Sequence, residues 1–483
     1  MISRKSYGTQ RTTASSKVGT GSYLTTVLTE TYFLLLLIGI GLRSREPNAD
    51  DDLQNAPVTL FPSPLPKDAF LLAKRVQTSM NLVMHKIAHD SAFIDQSLGN
   101  TVNVDEFTKN MLTLHHDTHR LGLSQPLSFG LFRTDYMVNE ADNSLQQVES
   151  NAISSGFAVL GSRMTRMHRY IVKKYCPSLT TSIPENDADV NFLKSFIQAF
   201  NAYGNPAAVI LFVVEDRTIN LCDQRGHDLS ISEQSDIRVI RRSFNELHGT
   251  VRVTEDRRLL IDKNIEVAVV YYRHCYDPSH YEKGEESWQL RLKIETSKAI
   301  KCPSIGYHLS GVKKFQQILT DKDVLERFLP PEEAGLLHAT FTGLWGLELN
   351  DAGNETVSMA LRNPVSFVLK PQREGGGHNI YGHDIVDTLT PIRDKQEREA
   401  YILMQLIRPR VYENYILAPN AEVDAASPDQ IVSELGIFGS ILGSKDEVVF
   451  SREDGHVLRS KRLGVNEGGI SAGFGAIDSP LLC

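Results

Sequence analysis

The sequence contains few cysteines, and they show no functional pattern. Five cysteines are spread over 483 residues, an odd number without the close pairing that zinc sites or a disulfide framework require. They are Cys176, Cys222, Cys275, Cys302 and Cys483. This usage indicates a protein of a reducing compartment.

Other absences narrow the class of protein. The net charge is −8, so the basic face typical of a nucleic-acid binder is not expected. We find no internal repeat, no substantial low-complexity segment and no apolar run of the roughly 20 residues that span a bilayer. The 41% of hydrophobic and 23% of charged residues are ordinary for a globular protein, and the length predicts roughly two to four domains.

The amino terminus differs in composition from the rest of the chain. Residues 1–29 are rich in Ser and Thr, contain basic residues and have no acid before Glu30, which is typical of an organellar transit peptide. The apolar run 32–42 is too short to span a membrane. It also fits a signal-peptide core, a first helix docked on the body, or a wrongly assigned start exon. We expect residues 1–45 to be an extension whose removal leaves activity and stability nearly unchanged.

The stretch 366–382 is the one around which the rest is organised. Residues 367–369 form a short apolar strand, so Lys370 should lie at the end of that strand, before the glycines at 375–377. A lysine before a Gly-rich loop favours polyphosphate binding, and Glu374 fits there if Mg²⁺ bridges it to the phosphates. The alternative is a flexible surface loop. The Gly-Lys-Ser/Thr ending of a P-loop is missing.

A second acidic segment precedes this stretch. In an extended 146–151, Glu149 and Asn151 fall on one face, where a carboxylate and an amide oxygen can share one hard cation. The small residues 154–156 follow immediately and suit a close approach of a ligand. Upstream, the spacing predicts a long helix over 66–98 and a second helix capped by Asp105. The 115–117 His-His-Asp cluster is not expected to bind metal, because neighbours on a helix face different directions.

From about residue 208 the pattern predicts strands that alternate with helices, an α/β layer arrangement. The expected elements are strands at 208–214, 237–241 and 265–272 and a helix at 288–300. Gln224, Arg273 and Tyr276 follow these strands, where open α/β sheets bind ligands. Further strands are expected at 400–407, 431–438 and 456–461, and the last of these puts Arg459 and Lys461 on one face before a second Gly-rich loop at 467–473.

These segments, in this order, resemble the eukaryotic glutathione synthetase family. The most specific pieces are residues 369–377 (LKPQREGGG), 433–439 (SELGIFG), Gln224 within Asp-Gln-Arg, and 311–314 (GVKK). The resemblance implies an α/β (α+β) class: an ATP-grasp fold with an inserted α/β substrate-binding domain and a helical amino-terminal region. It also implies a cytoplasmic homodimer, with an organelle as the alternative if residues 1–45 are a transit peptide. The expected domains are 1–45 (extension), 46–207 (helical and ATP-grasp part), 208–313 (substrate binding) and 314–483 (catalytic part with the Gly-rich lid).

The resemblance also implies roles for individual residues. The Mg²⁺ ligands, for one or two ions, would be Glu149, Asn151 and Glu374. ATP would be contacted by Glu149, Lys313, Lys370, Gln372, Glu374, Gly375, Gly376, Gly377, Asn379, Tyr381, Met404, Gln405, Leu406, Ile407, Glu434, Lys461 and Glu467. The other substrates would be bound by Arg133, Ser154, Ser155, Gly156, Asn220, Gln224, Arg273, Tyr276, Arg459, Ile470 and Ser471, and the catalytic residues would be Arg133, Arg459 and Gly376. Two residues depart from the family pattern: Gln405 stands where an acid is familiar, and Gly156 replaces a small hydroxyl residue.

The chemistry implied by the resemblance is ligation of γ-glutamylcysteine and glycine at the expense of ATP. The cysteinyl carboxylate would be phosphorylated to an acyl phosphate, the glycine amine would attack it, and phosphate would leave. No protein nucleophile is needed, and none is evident in the sequence. A related ligase with another acid or amine, and a catalytically silent nucleotide-binding or scaffold protein, are the alternatives. Intact Glu149, Asn151 and Glu374 argue against the silent form.

Overall fold

The computed structural model describes residues 20–44, 52–372, 377–419 and 428–483. Its helices are Thr20–Leu37, Lys67–Ala88, Ser91–Leu98, Glu106–Arg120, Ala158–Tyr175, Ala188–Tyr203, Leu221–Gln234, Phe244–Leu247, Glu285–Glu295, Ile305–Ser310, Lys313–Ile318, Lys322–Phe328, Pro331–His338, Asp351–Arg362 and His383–Leu389. Its strands are Gly41–Arg43 (β1), Leu53–Asn55 (β2), Val58–Thr59 (β3), Ser63–Leu65 (β4), Ser128–Val138 (β5), Leu145–Asn151 (β6), Val209–Val214 (β7), Arg238–Ser243 (β8), Arg252–Val253 (β9), Leu259–Ile261 (β10), Ile265–Tyr272 (β11), Ile300–Cys302 (β12), Leu344–Gly346 (β13), Phe367–Pro371 (β14), Ile380–Tyr381 (β15), Tyr401–Gln405 (β16), Tyr412–Asn414 (β17), Ile416–Leu417 (β18), Asp429–Gly443 (β19), Val448–Arg462 (β20), Ala476–Asp478 (β21) and Pro480–Leu482 (β22).

The largest sheet has the strand order β18-β3-β21-β20-β19-β5-β6, and β17 also pairs with β19. The long antiparallel pair β19 and β20 forms its centre, with Glu434 opposite Arg459. Both strands are longer than the sequence predicted. Alternate side chains of β19 pack on opposite faces: Ile437 belongs to the apolar cluster that includes helix Lys67–Ala88, and Phe438 contacts Phe192 of helix Ala188–Tyr203. The sheet is therefore covered by helices on both faces.

The single long helix expected over 66–98 is two helices. Lys67–Ala88 ends, and Asp90 begins the next helix by accepting a hydrogen bond from the Phe93 amide at 3.0 Å. An aspartate at this position satisfies an amide that lacks a partner within the helix, so it favours a new helix start over continuation. The cap expected from Asp105 is confirmed, because its side chain accepts from the Thr108 amide at 2.8 Å.

The segment from β7 to β12 forms an α/β module. Strands β8, β7, β11 and β12 are parallel neighbours, and β10 and β9 extend the sheet antiparallel from β11. The helix expected over 288–300 runs instead from Glu285 to Glu295, and Ile300 starts β12. The Thr296 and Ser297 hydroxyls bond back to the Leu292 and Ile294 carbonyls, which ends the helix there.

A smaller antiparallel sheet carries the first Gly-rich segment. Its strand order is β13-β16-β14-β15, and Lys370 of β14 lies opposite Ile402 of β16. One face packs on helices Asp351–Arg362 and His383–Leu389. The other face carries Met404 and packs against Val148 of β6, so the small sheet lies against the edge of the large one.

The described part of the amino-terminal segment is packed on the body. Helix Thr20–Leu37, the turn that follows it and β1 bury Val27, Leu28, Leu35, Ile40 and Leu42 in a shared apolar core. Their burial argues against the expectation that residues 1–45 can be removed without loss of stability, although the part before residue 20 lies outside the described residues. Among the described residues, no helix is both long and apolar enough to cross a membrane.

Candidate active site

A carboxylate and two lysines from three elements meet where the two antiparallel sheets touch. The Glu149 carboxylate on β6 lies 3.2 Å from the Lys313 Nζ and 3.8 Å from the Lys370 Nζ. Lys370 also donates to the Val148 carbonyl at 2.8 Å, which ties the end of β14 to β6. Both lysines are nearly inaccessible, whereas 23% of the Glu149 side chain remains exposed. The carboxylate is thus the accessible member of the group.

The ionisation of this group follows from its neighbours. Burial alone would raise the pKa of the Glu149 carboxyl, but Lys313, Lys370 and Arg459 outweigh it and hold the pKa below its ordinary value. Burial lowers the pKa of Lys370, and Glu149 opposes that shift. The junction therefore holds an ionised carboxylate beside two amines, which suits a phosphate–metal site.

Beside this junction, two arginines share one buried carboxylate. Arg133 on β5 donates from Nε and Nη2 to Asp135 at 2.6 and 2.9 Å, and Asn151 donates to the same Asp135 at 2.9 Å. Arg459 donates from Nη2 to Asp135 at 2.8 Å and to Glu434 at 2.5 Å. Burial raises the pKa of Glu434, although Arg459 acts against the shift. The guanidinium groups are held side by side by the carboxylates.

The registers of three strands explain this cluster. Asn151 lies opposite Arg133, and Glu149 lies opposite Asp135, so the ligand-type residues of β5 and β6 share one face. On β19, Gly436 lies opposite Asp135, and a side chain there would come within 2.8 Å of both Arg133 and Asp135. Sequence reasoning missed Asp135 and Gly436. The available signal for Asp135 was that it lies two residues after Arg133 in a predicted strand, so both side chains share one face.

The predicted substrate turn lies against the carboxyl ends of the parallel strands. Arg133 Nη1 donates to the Gly156 carbonyl at 3.2 Å. A Cβ at Gly156 would lie 2.9 Å from both the Arg273 Nη2 and the Asn220 Nδ2, so the absence of a side chain lets these groups close on the turn. Asp223, one turn after Asn220 in the same helix start, accepts hydrogen bonds from the Phe157 and Val159 backbone amides at 2.7 and 2.9 Å. It fixes the start of helix Ala158–Tyr175 and thereby the turn before it.

Four of the other predicted substrate-binding residues lie near this turn or near the strand ends: Gln224, Ser154, Ser155 and Tyr276. The Gln224 amide donates to Thr218 at 2.9 Å and accepts from Arg241 Nη2 at 2.8 Å. Burial lowers the pKa of Arg241 to about 10. Ser154 donates to the Tyr272 carbonyl and Ser155 to the Asn151 carbonyl, both at 3.4 Å. Tyr276 is half-buried and its ring packs edge-on against His280. Arg241 was not predicted from the sequence.

An apolar cluster lies between the small sheet and β6, the strand that carries Glu149. Met404 and Ile407, both predicted to contact ATP, pack with Leu344 and Ile402 at the surface between the two sheets. The neighbouring Gln405 is exposed, and its amide donates to the Gly343 carbonyl, whereas the Leu406 amide donates to the Ser366 carbonyl. These four apolar side chains are buried, and the contact of Met404 and Ile407 with ATP stays a prediction.

The two Gly-rich segments contact each other. The Gly377 amide donates to the Glu467 carboxylate at 3.0 Å. On the first segment, Asn379 donates to the Tyr381 hydroxyl at 3.4 Å and Gln372 accepts from the Lys314 amide at 2.9 Å. On the second, Lys461 donates to the Asn466 carbonyl, Ile470 is fully buried in apolar core, and Ser471 is half-buried. Glu374, Gly375 and Gly376 lie outside the described residues, so their predicted roles have no structural test.

The residues present fit a magnesium ion. Both side-chain hydrogen bonds of Asn151 use its amide nitrogen, which leaves its side-chain oxygen available to a cation on the strand face that also carries Glu149. In the described part of the chain no cluster of three His, Cys, Asp or Glu side chains could hold a metal ion. A cation here would depend on Glu149, Asn151 and the phosphates of a nucleotide, the ligand set that Mg²⁺ takes.

An antiparallel sheet that presents a lysine to the carboxylate of a second sheet, together with an α/β module, is in line with an ATP-grasp type of fold. The solved structure of a glutathione synthetase-like effector from Globodera pallida has the same fold: its TM-score is 0.75 at 24% identity, over 96% of this chain and 97% of that one. The expected fold class is confirmed.

Sequence comparison gives the particular family. The model of the eukaryotic glutathione synthase ATP-binding domain matches residues 22–482. The glutathione synthetase of Xenopus laevis is 37% identical over 92% of this chain and 94% of its own length. The Homo sapiens enzyme is 37% identical over 92% and 93%, and the chloroplastic glutathione synthetase of Arabidopsis thaliana is 37% identical over 88% and 78%. The chain belongs to the eukaryotic glutathione synthase family.

Proposed function

We propose that this chain is a glutathione synthetase, which ligates γ-glutamylcysteine and glycine with conversion of ATP to ADP and phosphate. The observation that carries the proposal is the convergence of Glu149, Lys313 and Lys370 beside the paired Arg133 and Arg459. A reaction that handles ATP and two carboxylate substrates needs cations of this kind, held in place before the substrates arrive.

In the proposed reaction the residues act by positioning and charge. Lys313 and Lys370 hold the phosphates of ATP, and Met404 and Ile407 pack against the base. Bound Mg²⁺, held by Glu149, Asn151 and Glu374, would neutralise phosphate charge. Arg133 and Arg459 face the carboxylate that accepts the phosphoryl group.

In the first step the cysteinyl carboxylate oxygen bonds to the γ-phosphorus and ADP leaves. In the second step the glycine amine attacks the acyl carbon, phosphate leaves, and the amine loses a proton. In the proposal the Gly-rich segments, which meet where the Gly377 amide donates to the Glu467 carboxylate, would close over the acyl phosphate, because it hydrolyses if water reaches it.

The residues at the substrate end of the site suit the binding of a dipeptide with two charged ends. Arg273, Asn220 and Gln224 lie at the carboxyl ends of the parallel strands, next to the turn at 154–156. Arg273 is almost wholly buried, and a buried guanidinium is the side chain best suited to bind a carboxylate. This end would bind the glutamyl part of γ-glutamylcysteine.

The test is release of ADP with γ-glutamylcysteine and glycine each omitted in turn, together with direct detection of glutathione. Turnover should require ATP, Mg²⁺ and both other substrates. Turnover that is supported by a different acid or amine would identify another ligase of the class. Absence of turnover with every combination, in a protein that still binds ATP, would identify the silent nucleotide-binding form.

The choice of amine is part of the proposal. Ser471 and Ala472 resemble the pair of small residues associated with glycine as the acceptor, and the turn is tight, since the Gly473 amide donates to the Ile470 carbonyl at 2.9 Å. One methylene is worth about 1–3 kcal/mol of discrimination. Glycine should therefore exceed β-alanine by about tenfold or more in kcat/KM. Equal values for the two amines would remove this loop as the selector.

The compartment and assembly belong to the proposal as well. A homodimer in the cytoplasm is the family expectation, and the scattered free cysteines fit a reducing compartment. The names of the plant relatives specify the chloroplast, which keeps an organellar location open. Sedimentation of the purified chain and imaging of the tagged full-length chain test the two points separately.

A further inference from the structure

Asp135 is a wholly buried carboxylate that receives four hydrogen bonds, all from side chains of predicted site residues. Arg133 supplies two of them, Asn151 one and Arg459 one, at 2.6 to 2.9 Å. A buried carboxylate is stable as an ion only when cations or donors surround it, and here the two arginines do so. Asp135 has 0% exposure, so a substrate is not expected to bind it directly.

Other buried aspartates of the chain have a different environment. Asp223 accepts from backbone amides at the start of a helix and, at 3.4 Å, from the Asn220 side-chain amide. Asp478 accepts hydrogen bonds from the Ser63 and Ser460 hydroxyls and from the Ser479 backbone amide. These contacts fix the fold. Asp135 is the one of these three that accepts from the guanidinium groups of the candidate site.

The geometry gives Asp135 two effects on the arginines. Its two carboxylate oxygens each accept a hydrogen bond from Arg133, and this bidentate contact fixes the plane of that guanidinium. It also supplies a negative charge between Arg133 and Arg459, which would otherwise repel each other at this distance. Gly436 leaves the space in which this arrangement fits, because a Cβ there would lie 2.8 Å from the Asp135 Oδ1.

We propose that Asp135 is the positioning residue that holds Arg133 and Arg459 together for γ-glutamylcysteine and its phosphorylated form. This inference rests on the proposed function. Asp135 touches neither substrate in the proposal and acts through the two arginines. ATP is held mainly by Lys313 and Lys370, which do not bond to Asp135, so binding of the nucleotide without Mg²⁺ should not depend on Asp135. Asn151 does bond to Asp135 and would act through the ion, so the ion is left out of that measurement.

Asp135→Asn separates these roles. The variant keeps the shape but places an NH₂ group against guanidinium donors and removes the charge. We expect kcat/KM for γ-glutamylcysteine to fall by about 100-fold or more, as when one fixed electrostatic partner of a reacting group is lost. The dissociation constant of an ATP analogue, measured without Mg²⁺, should change less than about threefold. The control is Asp454→Asn, a buried aspartate of β20 outside the site, which should leave the kinetic constants unchanged.

A mutant cycle that treats the two arginines as one unit supplies the decisive measurement. Asp135→Asn, the variant with both Arg133→Lys and Arg459→Lys, and the variant with all three changes are compared in kcat/KM. If Asp135 acts through the two arginines, the triple variant should be no slower than the slower of the other two within about threefold, because the added change removes interactions already lost. Losses that multiply would overturn the proposal. So would a loss of ATP-analogue affinity in Asp135→Asn equal to its loss in kcat/KM.

Two further measurements distinguish failure of this inference from misfolding of the variant and from failure of the proposed function. If Asp135→Asn does not fold, Asp135→Glu, which keeps the charge and moves it by one methylene, is measured instead and should show the same selective loss for the dipeptide. If the wild-type chain makes no glutathione, the proposed function fails, and the inference is then judged by calorimetric binding of γ-glutamylcysteine. Equal affinity for wild type and Asp135→Asn in that measurement overturns it.

Discussion

Gly156 is a residue at which the chain departs from the family pattern, and the structure gives a physical reason for a glycine. The guanidinium of Arg273 and the amide of Asn220 occupy the space that a side chain at 156 would take. Both groups are the ends of side chains, so a larger residue would displace them without breaking the backbone. The departure thus affects the substrate end of the site and leaves the fold intact.

Gly156→Ser should therefore weaken the binding of γ-glutamylcysteine. The added Cβ lies 2.9 Å from both neighbours, so Arg273 and Asn220 must move away from the turn. We expect KM for the dipeptide to rise by about tenfold, a loss of roughly one weakened charged contact, with KM for ATP unchanged. Steady-state kinetics with each substrate varied measure this. Gly335→Ser is the control, because a Cβ at Gly335 meets nothing within 4 Å. An unchanged dipeptide KM in Gly156→Ser would contradict the prediction.

Asp454 shows how a buried charge outside the site controls stability. Burial raises the pKa of Asp454 to about 7, and the ion pair with Arg452, 3.9 Å away, only partly offsets this; Glu453, Lys194 and Ser440 are its other neighbours. The folded state thus keeps a proton that the unfolded state has lost between the ordinary value of 3.8 and about 7. Stability from this group is highest below that range and falls as pH rises through it.

Asp454→Asn should remove this pH dependence. Relative to wild type, the thermal midpoint of the variant should increase by several degrees as the pH is raised from about 5 to about 8, since the amide stays neutral. The difference between the two melting curves at each pH isolates this group from others that titrate. The exposed Asp446→Asn serves as the matched change of charge. A difference that stays constant with pH would show that Asp454 does not titrate in this range.

At the scale of elements, alternation of apolar residues predicted that most strands exist, but their limits depended on contacts distant in sequence. Strand β11 has the predicted bounds, whereas β19 and β20 continue well past theirs because each pairs with the other along its length. The break at Asp90 came from a capping side chain in an otherwise helical pattern. Local pattern therefore identifies elements better than it identifies where they end.

The first helix was the element that the sequence described least well. Its composition is typical of a targeting segment, and its contacts lie far along the chain. Glu30 accepts hydrogen bonds from Tyr170, Lys174 and Tyr175 at 2.5 to 2.9 Å. Such long-range contacts leave no local periodicity, so the sequence offered a docked first helix only as one of several alternatives, and the structure supports that alternative.

Two adjacent leucines test whether this helix is part of the core. Leu35 is 1% exposed and Leu36 is 67% exposed. Leu35→Ala should lower the free energy of unfolding by about 2–5 kcal/mol, whereas Leu36→Ala should change it by less than about 0.5 kcal/mol. Chemical denaturation of the full chain measures both. Equal, small effects would show that the helix does not pack as described and would restore the expectation that residues up to 45 are dispensable.

At the scale of the whole molecule, the candidate site joins all the layers. Glu149 comes from the large sheet, Lys370 from the small sheet, and Arg273 from the α/β module. Motif resemblance predicted these residues one by one. It did not predict that Asp135 holds Arg133 and Arg459, or that Gly377 bonds to Glu467, because those pairings depend on strand register and on loops that meet only in the folded chain.

Because the site spans these layers, binding of nucleotide should stabilise them together. A ligand at 100 times its Kd adds about 2.7 kcal/mol to the stability of the state that binds it. A non-hydrolysable ATP analogue with Mg²⁺ should thus raise the thermal midpoint of the whole chain as one transition, and omission of Mg²⁺ should reduce the rise. Glu149→Gln should lose the Mg²⁺-dependent part of the rise, because the charge that would hold the ion is gone, while Leu36→Ala keeps it. Melting followed by intrinsic fluorescence, with and without the ion, measures the effect. A Mg²⁺-dependent rise of the same size in Glu149→Gln would show that the ion is held by other residues.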